Sequence, residues 1–291
     1  MIGAGLAGIA CARALRASGA AVTVFDKGRV PGGRLATRHA GGTSFDHGAP
    51  YLSGASFPLP GLLPWQDGAW VGLPSMAAWA GAVAGPVWSG RHVSFLRRDT
   101  AGWHVRHHNA RQVAPSLVSD SGGEGAGPFD GVALTIPGPQ AVRLLTAMAH
   151  PFAGPTGTIR MEPCWTVMAV LPEPPTGAAD ARLQAMIHDS VKPGRDLQPG
   201  RWVAHASPGW STDHLEDGAE QALPLLLQAL GAGEPYYAAV HRWRYAQVEA
   251  ALGVPCLAGP DGLVYAGDGC AGRGAAAAFI SGEAAARSLG A

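Results

Sequence analysis

The sequence predicts an α/β fold that begins with a dinucleotide-binding turn. The chain opens M-I-G-A-G-L-A-G, which places Gly3, Gly5 and Gly8 in the GxGxxG spacing. An apolar strand then ends at Asp26, and a strand-Gly-Asp-helix pattern covers residues 265–268 near the other end of the chain. Together these three features predict a Rossmann-type parallel sheet whose following helices point their positive ends at a dinucleotide.

The first elements are a strand, an Ala/Leu-rich helix to about Ser18 and a second strand from Ala20 to Asp26. The glycines let the backbone approach a pyrophosphate, and Asp26 can hold a ribose hydroxyl. Only Met1 and Ile2 precede the turn, whereas a strand usually has about five residues. Either the assigned start codon lies too far downstream, or this central strand is short.

The next segment carries a second glycine pair, Gly32-Gly33, followed directly by Arg34. Short strands are predicted at 36–39 and 43–46. Residues 52–74 are rich in Pro, Gly and Trp and show little periodicity, so no regular element is predicted before a short helix at 75–84.

The middle of the chain alternates like a hairpin over 87–106, with its turn at 99–102. A Gly/Ser-rich stretch at 119–128 is predicted to be a flexible loop. A buried strand at 131–136 and a helix at 139–148 follow. The remaining elements are strands at 159–171, 201–207, 237–245 and 262–266, a helix at 215–230, and a final helix after Gly274.

Composition indicates a folded protein that acts on a small molecule. Of the 291 residues 47% are hydrophobic, and 21 acidic residues balance 21 basic ones, so no nucleic-acid footprint is present. No secretion signal or membrane-spanning run is evident, and the four cysteines form no CxxC pair. We therefore expect a cytoplasmic protein that contacts neither nucleic acid nor membrane.

Three nearby histidines invite a metal interpretation, which we do not favour. His104 and His107 would face opposite sides of a strand, with His108 beside them, so a solvated hairpin is the better explanation. We predict no metal site.

The C-terminal pattern favours FAD over NAD as the cofactor. In folds that bind FAD this way, Gly267-Asp268 brings a carboxylate to the ribityl chain, and the helix after Gly274 points its positive end at the cofactor. The simpler alternative is that Asp268 only caps a helix or turn. We predict non-covalent FAD. The predicted cofactor-binding residues are Gly3, Gly5, Gly8, Asp26, Lys27, Gly32, Gly33, Arg34, Gly48, Ala49, Val93, Gly267, Asp268 and Gly274.

Several segments resemble renalase-like proteins of the flavin amine oxidase superfamily. They are F-D-K-G-R-V-P-G-G-R-L-A-T (25–37), D-H-G-A-P-Y (46–51), A-L-T-I-P-G-P (133–139), P-C-W-T-V-M (163–168), H-R-W-R-Y-A-Q-V (241–248) and Y-A-G-D-G (265–269). The glycine motifs are shared by the whole superfamily, whereas P-C-W and W-R-Y-A-Q-V are more particular to renalase-like proteins. The resemblance runs from end to end of the chain.

This resemblance implies a Rossmann-like FAD-binding domain of the amine oxidase/glutathione reductase type, interrupted by an α+β substrate domain over the flavin. The FAD-binding domain would comprise 1–50, 85–148 and 254–291, and the substrate domain 51–84 and 149–253. The implied activity is oxidation of the 2- and 6-dihydro isomers of NAD(P) by hydride transfer to flavin N5. Oxygen would then reoxidise the flavin and yield hydrogen peroxide.

One departure from the family leaves the substrate open. Between Tyr51 and the helix near Ser75 the family carries a longer, helix-containing insertion. An amine oxidase or desaturase, or a flavin-binding protein without turnover, therefore remains an alternative. Since Lys27 and Lys192 are the only lysines, we expect the lysine that amine oxidases place near flavin N5 to be missing.

Candidate catalytic residues lie on the predicted strand at 237–245 and before Gly48-Ala49. Because side chains alternate along a strand, Trp243 shares one side with His241 and Tyr245, and the arginines share the other. A dihydronicotinamide could stack on the aromatic side and the guanidinium groups could pair its phosphates, but both reach one cavity only through a bulge. Otherwise the aromatic side is core and the arginines are surface. His47 could touch flavin or substrate, or be a structural hydrogen-bonded group. The predicted catalytic residues are His47, Arg242, Trp243 and Arg244.

Overall fold

The computed structural model describes residues 1–40, 42–54, 57, 59–177, 179–198 and 200–291. Within these residues the helices are α1 (Leu6–Ala17), α2 (Met76–Ala84), α3 (Gly138–Ala147), α4 (Ala153–Gly157), α5 (Pro208–Asp213), α6 (Ala219–Leu230), α7 (Asp268–Ala271) and α8 (Ala275–Ser288). Among them, none combines the length and the apolar character needed to cross a membrane.

The strands are short except in two sheets. They are β1 (Phe25–Asp26), β2 (Thr37–Ala40), β3 (Thr43–Asp46), β4 (Leu52–Ser53), β5 (Leu62–Trp65), β6 (Ala69–Gly72), β7 (Trp88–Ser89), β8 (Arg91–Asp99), β9 (Gly102–Asn109), β10 (Glu124–Phe129), β11 (Val132–Leu134), β12 (Arg160–Val170), β13 (Leu183–His188), β14 (Arg201–Ala206), β15 (Tyr237–Ala250), β16 (Leu257–Ala258) and β17 (Leu263–Tyr265).

The chain divides into two compact units, each assembled from separate segments. The first unit comprises Met1–Gly33, Ala80–Arg160 and Val248–Ala291, and the second comprises Arg34–Trp79 and Met161–Gln247. These units are defined by internal contacts. The functional domain boundaries given above stay a prediction.

The first unit is built on a mostly parallel sheet. Ile2 forms parallel bridges to Phe25 of β1 and to Leu134 of β11, so the opening residues take the place of a central strand. β7 extends the sheet beside β1 in parallel, β17 extends it beside β11 in parallel, and β16 closes it antiparallel to β17. The Ile2 amide donates to the Ala133 carbonyl at 2.9 Å. A strand was predicted from Ala20 to Asp26, but only its last two residues, Phe25 and Asp26, form β1.

Two helices with small residues cover this sheet. α1 and α8 approach so closely that a Cβ added at Gly282 would lie 2.1 Å from the Ala7 carbonyl oxygen. Farther along both helices, Leu15 and Ala286 share one apolar cluster with Val264 of the sheet. The two helices therefore run parallel, and the small side chains of α8 allow α1 to lie against it.

A second, antiparallel sheet of the first unit has the order β10-β9-β8. The predicted turn between β8 and β9 is present, since Asp99 pairs with Gly102. The prediction of a flexible loop at 119–128 is wrong over its second half, because β10 begins at Glu124 and pairs with β9. Its glycines permit close pairing: a Cβ at Gly127 would lie 2.5 Å from the Trp103 carbonyl oxygen.

The second unit contains a four-stranded sheet of order β13-β14-β12-β15, in which β13 and β12 both pair antiparallel with β14. Successive residues of β12 face opposite sides. Trp165 and Val167 pack in the apolar cluster that includes Leu226 of α6, whereas Met168 packs with Phe45 of β3. One side of the sheet is therefore covered by α6 and the other by the β2–β3 hairpin.

The Pro/Trp-rich segment is more regular than the sequence suggests. β4, β6 and β5 form a three-stranded antiparallel sheet inside the stretch 52–74, for which no regular element was predicted. A 3-10 turn at Gln66–Gly68 joins β5 to β6. β13 was also missed, and the helix expected from Leu215 begins at Ala219.

Candidate functional site

Each glycine of the first turn meets a different steric requirement. Gly3 has φ +105°, a conformation that favours glycine. A Cβ at Gly8 would lie 2.1 Å from the Gly3 carbonyl oxygen, whereas a Cβ at Gly5 would meet nothing within 4 Å. The first glycine therefore makes the tight turn, the second leaves open space for a ligand, and the third lets the helix approach the strand, as dinucleotide binding requires.

The N-terminus of α1 is available to an anion. Gly5 is its N-cap, no side chain caps it, and its first turn holds no acidic residue. The first N–H groups of a helix have no partner within the helix and carry the positive end of its dipole. A pyrophosphate is the kind of group that satisfies such donors.

Asp26 lies at the end of β1 and is nearly buried. Its carboxylate accepts hydrogen bonds from the Ala4 and Gly28 amides, each at 2.6 Å. Burial raises the pKa of this carboxyl, although the two amides oppose the shift. The two amides leave further lone pairs on its oxygens, so the geometry allows Asp26 to accept a ribose hydroxyl as well.

The second glycine pair directly contacts the first turn. Gly5 and Gly32 form a parallel backbone bridge, and the Gly32 amide donates to the Ala4 carbonyl at 2.8 Å. Gly33, with φ +56°, lies so close that its Cβ would be 3.3 Å from the Gly5 Cα. The structure therefore brings together Gly3, Gly5, Gly8, Asp26, Gly32 and Gly33, which the sequence predicted as one site.

The other predicted cofactor residues of the first unit are distributed along it. Gly267 donates its amide to Ser281 at 2.8 Å, and Asp268 is nearly buried at the start of α7. Gly274 has φ +101° and is the uncapped N-cap of α8, with open space where a Cβ would lie. Val93 is buried on β8, whereas Lys27 follows Asp26 on the surface.

Gly48 has a structural explanation within the second unit. A Cβ there would lie 1.9 Å from the Arg34 carbonyl oxygen, which also accepts a hydrogen bond from the Ala49 amide at 2.6 Å. Arg34 in turn donates to the Ala246 carbonyl at 2.9 Å. The Gly48-Ala49 pair therefore fits closely against the Arg34 backbone, whatever else it contacts.

The predicted catalytic side chains His47 and Trp243 meet in the second unit, together with His241; we call these three the ring cluster. The His47 ring stacks on Trp243 at 5.3 Å and meets His241 edge-on at 4.9 Å. The Trp243 indole donates to the His47 carbonyl at 3.2 Å. His241 and Trp243 are half-buried, so part of their ring surface can still be reached by a ligand.

The ring cluster is uncharged at neutral pH. Burial, together with the neighbouring His241, lowers the pKa of His47 to about 4. Burial and the charge of Arg38 also lower the pKa of His241. Both imidazoles are therefore neutral rings, and His47 Nδ1 has no hydrogen-bond partner among the described residues.

The two predicted arginines face away from the ring cluster and have protein partners. Arg242 donates to the carbonyls of Leu215 and Asp217 and lies over the Trp165 ring, 5.4 Å from its centre. Arg244 pairs with both oxygens of the exposed Glu216 at 2.7 Å. Both guanidinium groups thus have hydrogen-bond partners within the protein, and neither needs a substrate phosphate as a partner. Their catalytic role stays a prediction.

A buried ion cluster includes Asp46, the residue that precedes His47, and it was not predicted from the sequence. It consists of Asp46, Asp189, Lys192 and Arg195. Asp46 accepts from Lys192 Nζ at 3.0 Å and from Arg195 at 2.8 Å, and Lys192 also pairs with Asp189. The Lys192 and Arg195 side chains are 0% and 4% exposed. The signal available was the spacing of Asp189, Lys192 and Arg195 in a chain with only two lysines.

The pKa values of the two carboxyl groups in the cluster shift in opposite directions. Burial alone would raise the pKa of the Asp46 carboxyl, but Lys192, Arg195 and the Thr37 hydroxyl hold it below its ordinary value. Burial raises the pKa of Asp189. Asp46 therefore stays ionised, and Lys192 is engaged by two carboxylates.

The three histidines of the hairpin have separate partners. His104 pairs with Asp99 at 2.9 Å, and His108 contacts the Ser94 hydroxyl at 3.0 Å. His107 is buried beside the Phe25 ring. Within the described part of the chain, no group of three potential ligands forms a metal site.

Comparison with known proteins supports the Rossmann assignment. Residues 1–59 match the family described as NAD(P)-binding Rossmann-like domain. The matched segment contains the glycine turn, Asp26 and the second glycine pair. The chain therefore contains a Rossmann-like domain at its start, as predicted.

Solved structures resemble the whole chain at low sequence identity. A protein of Exiguobacterium sp. 255-15, provisionally assigned as a protoporphyrinogen oxidase, is 13% identical with TM-score 0.69 over 99% of this chain and 97% of that one. Cyclohexylamine oxidase from Brevibacterium oxydans IH-35A is 13% identical with TM-score 0.65 over 99% and 97%. Putrescine oxidase is 14% identical with TM-score 0.63 over 98% and 97%. The chain thus shares its α/β fold with these oxidases, which confirms the predicted fold class.

Proposed function

We propose that this protein is an FAD-dependent oxidoreductase that oxidises isomeric dihydronicotinamide dinucleotides, with oxygen as the final acceptor. The observation that supports FAD most directly is the group of close-packed glycines at residues 3, 5, 8, 32 and 33, which we call the glycine cradle. Gly5 leaves open space before an uncapped helix, and Asp26 lies at the neighbouring strand end. The residues present therefore fit the pyrophosphate and ribose of a dinucleotide.

The first unit would hold the cofactor non-covalently. The N-terminus of α1 and the glycine turn would bind the pyrophosphate, and Asp26 a ribose hydroxyl. Asp268 and the N-terminus of α8 would bind the ribityl side, as the sequence predicts. Bound FAD would supply a two-electron acceptor for the hydride of a 2- or 6-dihydronicotinamide and would pass the electrons to oxygen, which yields hydrogen peroxide.

The second unit would supply a surface for the planar substrate ring. His241 and Trp243 are half-buried neutral rings that pack against the buried His47 and could stack on a planar ligand. A dihydropyridine already carries a transferable hydride, so its oxidation needs orientation rather than a protein base. A neutral ring cluster with no free charged base fits this requirement.

Amine oxidation is the competing function, and the likeness to putrescine and cyclohexylamine oxidases favours it. Lys192 is the lysine to consider, because it is fully buried in the second unit. However, it is bound to Asp46 and Asp189, so its ammonium is occupied by carboxylates. That arrangement supports the dihydropyridine proposal over a catalytic lysine.

Anaerobic stopped-flow absorbance of the flavin band distinguishes these functions. FAD-loaded protein is mixed separately with borohydride-generated dihydro-NAD isomers, with 4-dihydro NADH and with simple amines. We expect rapid bleaching by the isomers alone and formation of hydrogen peroxide when oxygen is readmitted. Bleaching by amines would establish the competing function, and bleaching by no donor would leave a flavin-binding protein without turnover.

A further inference from the structure

Arg38 is placed beside the ring cluster by the register of the β2–β3 hairpin. Thr37 pairs with Asp46 and Arg38 pairs with Phe45. Directly paired residues of antiparallel strands project to the same face, and residues two apart along a strand share a face. Arg38 therefore lies on the face of Phe45 and His47, at a diagonal position within reach of a long side chain.

β15 covers the same face with its own alternate residues. Phe45 stacks on Tyr237 at 5.7 Å, and His47 meets His241 at 4.9 Å. The order of these contacts continues to Trp243. The neutral rings and Arg38 thus belong to one surface of the second unit.

The Arg38 guanidinium has neither a hydrogen bond nor an ion pair with any described residue. Asp46, the nearest carboxylate along the hairpin, directs its oxygens to other donors: Thr37, Met76, Lys192 and Arg195. Arg38 is exposed. It differs in this respect from Arg242 and Arg244, whose partners lie in the protein.

We propose that Arg38 binds an anionic group of a substrate whose planar ring lies against the ring cluster. This inference rests on the proposed function and adds the residue that would recognise the anionic group of its substrate, a phosphate in a dinucleotide or a carboxylate in a simpler ring compound. A guanidinium pairs such groups through parallel N–H donors, and the neutral rings add no competing charge. Arg38 is then a specificity residue, in the role that the sequence suggested for Arg242 and Arg244.

The kinetic test compares an anionic and a neutral hydride donor. Flavin reduction by borohydride-generated dihydro-NAD isomers and by the uncharged 1-benzyl-dihydronicotinamide isomers made in the same way is measured for wild type, Arg38→Gln, Arg38→Lys and the exposed control Arg111→Gln. We expect Arg38→Gln to raise the concentration of anionic donor that half-saturates flavin reduction about tenfold. This is the lower end of the effect expected for a hydrogen bond to a charged group, because the site is exposed. The neutral donor should change less than about twofold, and Arg38→Lys should recover part of the loss. An equal loss for both donors, or no loss for either, would overturn the proposal.

A binding test remains decisive even if no donor reduces the flavin. Calorimetric titration with nicotinate and with nicotinamide compares one planar ring with and without an anionic group. We expect wild type to bind nicotinate more tightly and Arg38→Gln to abolish that difference, while Arg111→Gln keeps it. If wild type binds the two alike, or binds neither, Arg38 has no such role. Failure of all donors with retained nicotinate preference would instead refute only the proposed reaction.

Discussion

Replacing Asp46 by asparagine should strongly destabilise the second unit. The carboxylate accepts four hydrogen bonds: one oxygen from Thr37 Oγ1 at 2.6 Å and the Met76 amide at 3.0 Å, the other from Lys192 and Arg195. An asparagine has one acceptor oxygen, so in either orientation its amide N–H groups face two donors. Lys192 and Arg195 would also lose their shared anion inside the protein. Removing one partner of a buried ion pair costs about 3–5 kcal/mol.

The assay is urea unfolding at pH 7, followed by tryptophan fluorescence and circular dichroism. We expect the free energy of unfolding to fall by about 3–5 kcal/mol for Asp46→Asn. Asp180→Asn is the matched control, because Asp180 also pairs with an arginine, Arg182, but at the surface. It should leave the midpoint almost unchanged. A loss below about 1 kcal/mol for Asp46→Asn would refute the conclusion that the cluster holds this unit together.

Three further predictions follow from the same structure. Burial lowers the pKa of His47 and of His205 to about 4, while unfolded histidines titrate near pH 6.5. Between these two pH values the unfolded state binds more protons than the folded state. The free energy of unfolding should therefore fall as the pH drops from about 6.5 to about 4, by at most about 3 kcal/mol per histidine. Denaturation midpoints plotted against pH should have a shallower slope for His47→Gln than for wild type. Gly8→Ala places a Cβ 2.1 Å from a carbonyl oxygen and should lower retention of FAD on gel filtration, whereas Gly81→Ala, with nothing within 4 Å, should not. Arg244→Ala removes only a surface ion pair, so its thermal midpoint should match wild type, and a clear drop would show that the pair supports β15.

Elements with strong local signals were predicted well from the sequence. α1 was expected to about residue 18 and ends at Ala17, and the helix after Gly274 is α8. The hairpin turn after Asp99 is present. Each of these has a glycine at a boundary and an apolar pattern with the right period, so local and tertiary preferences agree.

The missed elements depend on partners distant in sequence. β10 carries two glycines, Gly125 and Gly127, and has the composition of a loop, yet its backbone pairs with β9 because the missing side chains allow close approach. The segment 52–74 lacks alternation, since β4 and β5 are short and both pair with β6. Pairing of this kind is set by the neighbouring strand and leaves little trace in local composition.

The candidate site divides in the same way. The glycine cradle was predictable because each glycine answers a backbone requirement. His47 and Trp243 are almost two hundred residues apart in sequence. Each was predicted as a catalytic residue, but their contact was not predicted. Arg38 and most of the ion cluster could not be predicted, because the role of a single charged residue depends on the partners that the fold brings to it.

The packing of α1 against α8 has a consequence for biosynthesis. The ribosome makes α1 well before its packing partner α8, because α1 ends at Ala17 and α8 begins at Ala275. At roughly 5–20 residues per second, the ribosome needs on the order of tens of seconds to add that partner. The glycine turn therefore waits without its supporting helix, so binding of the proposed cofactor there would follow the assembly of the first unit.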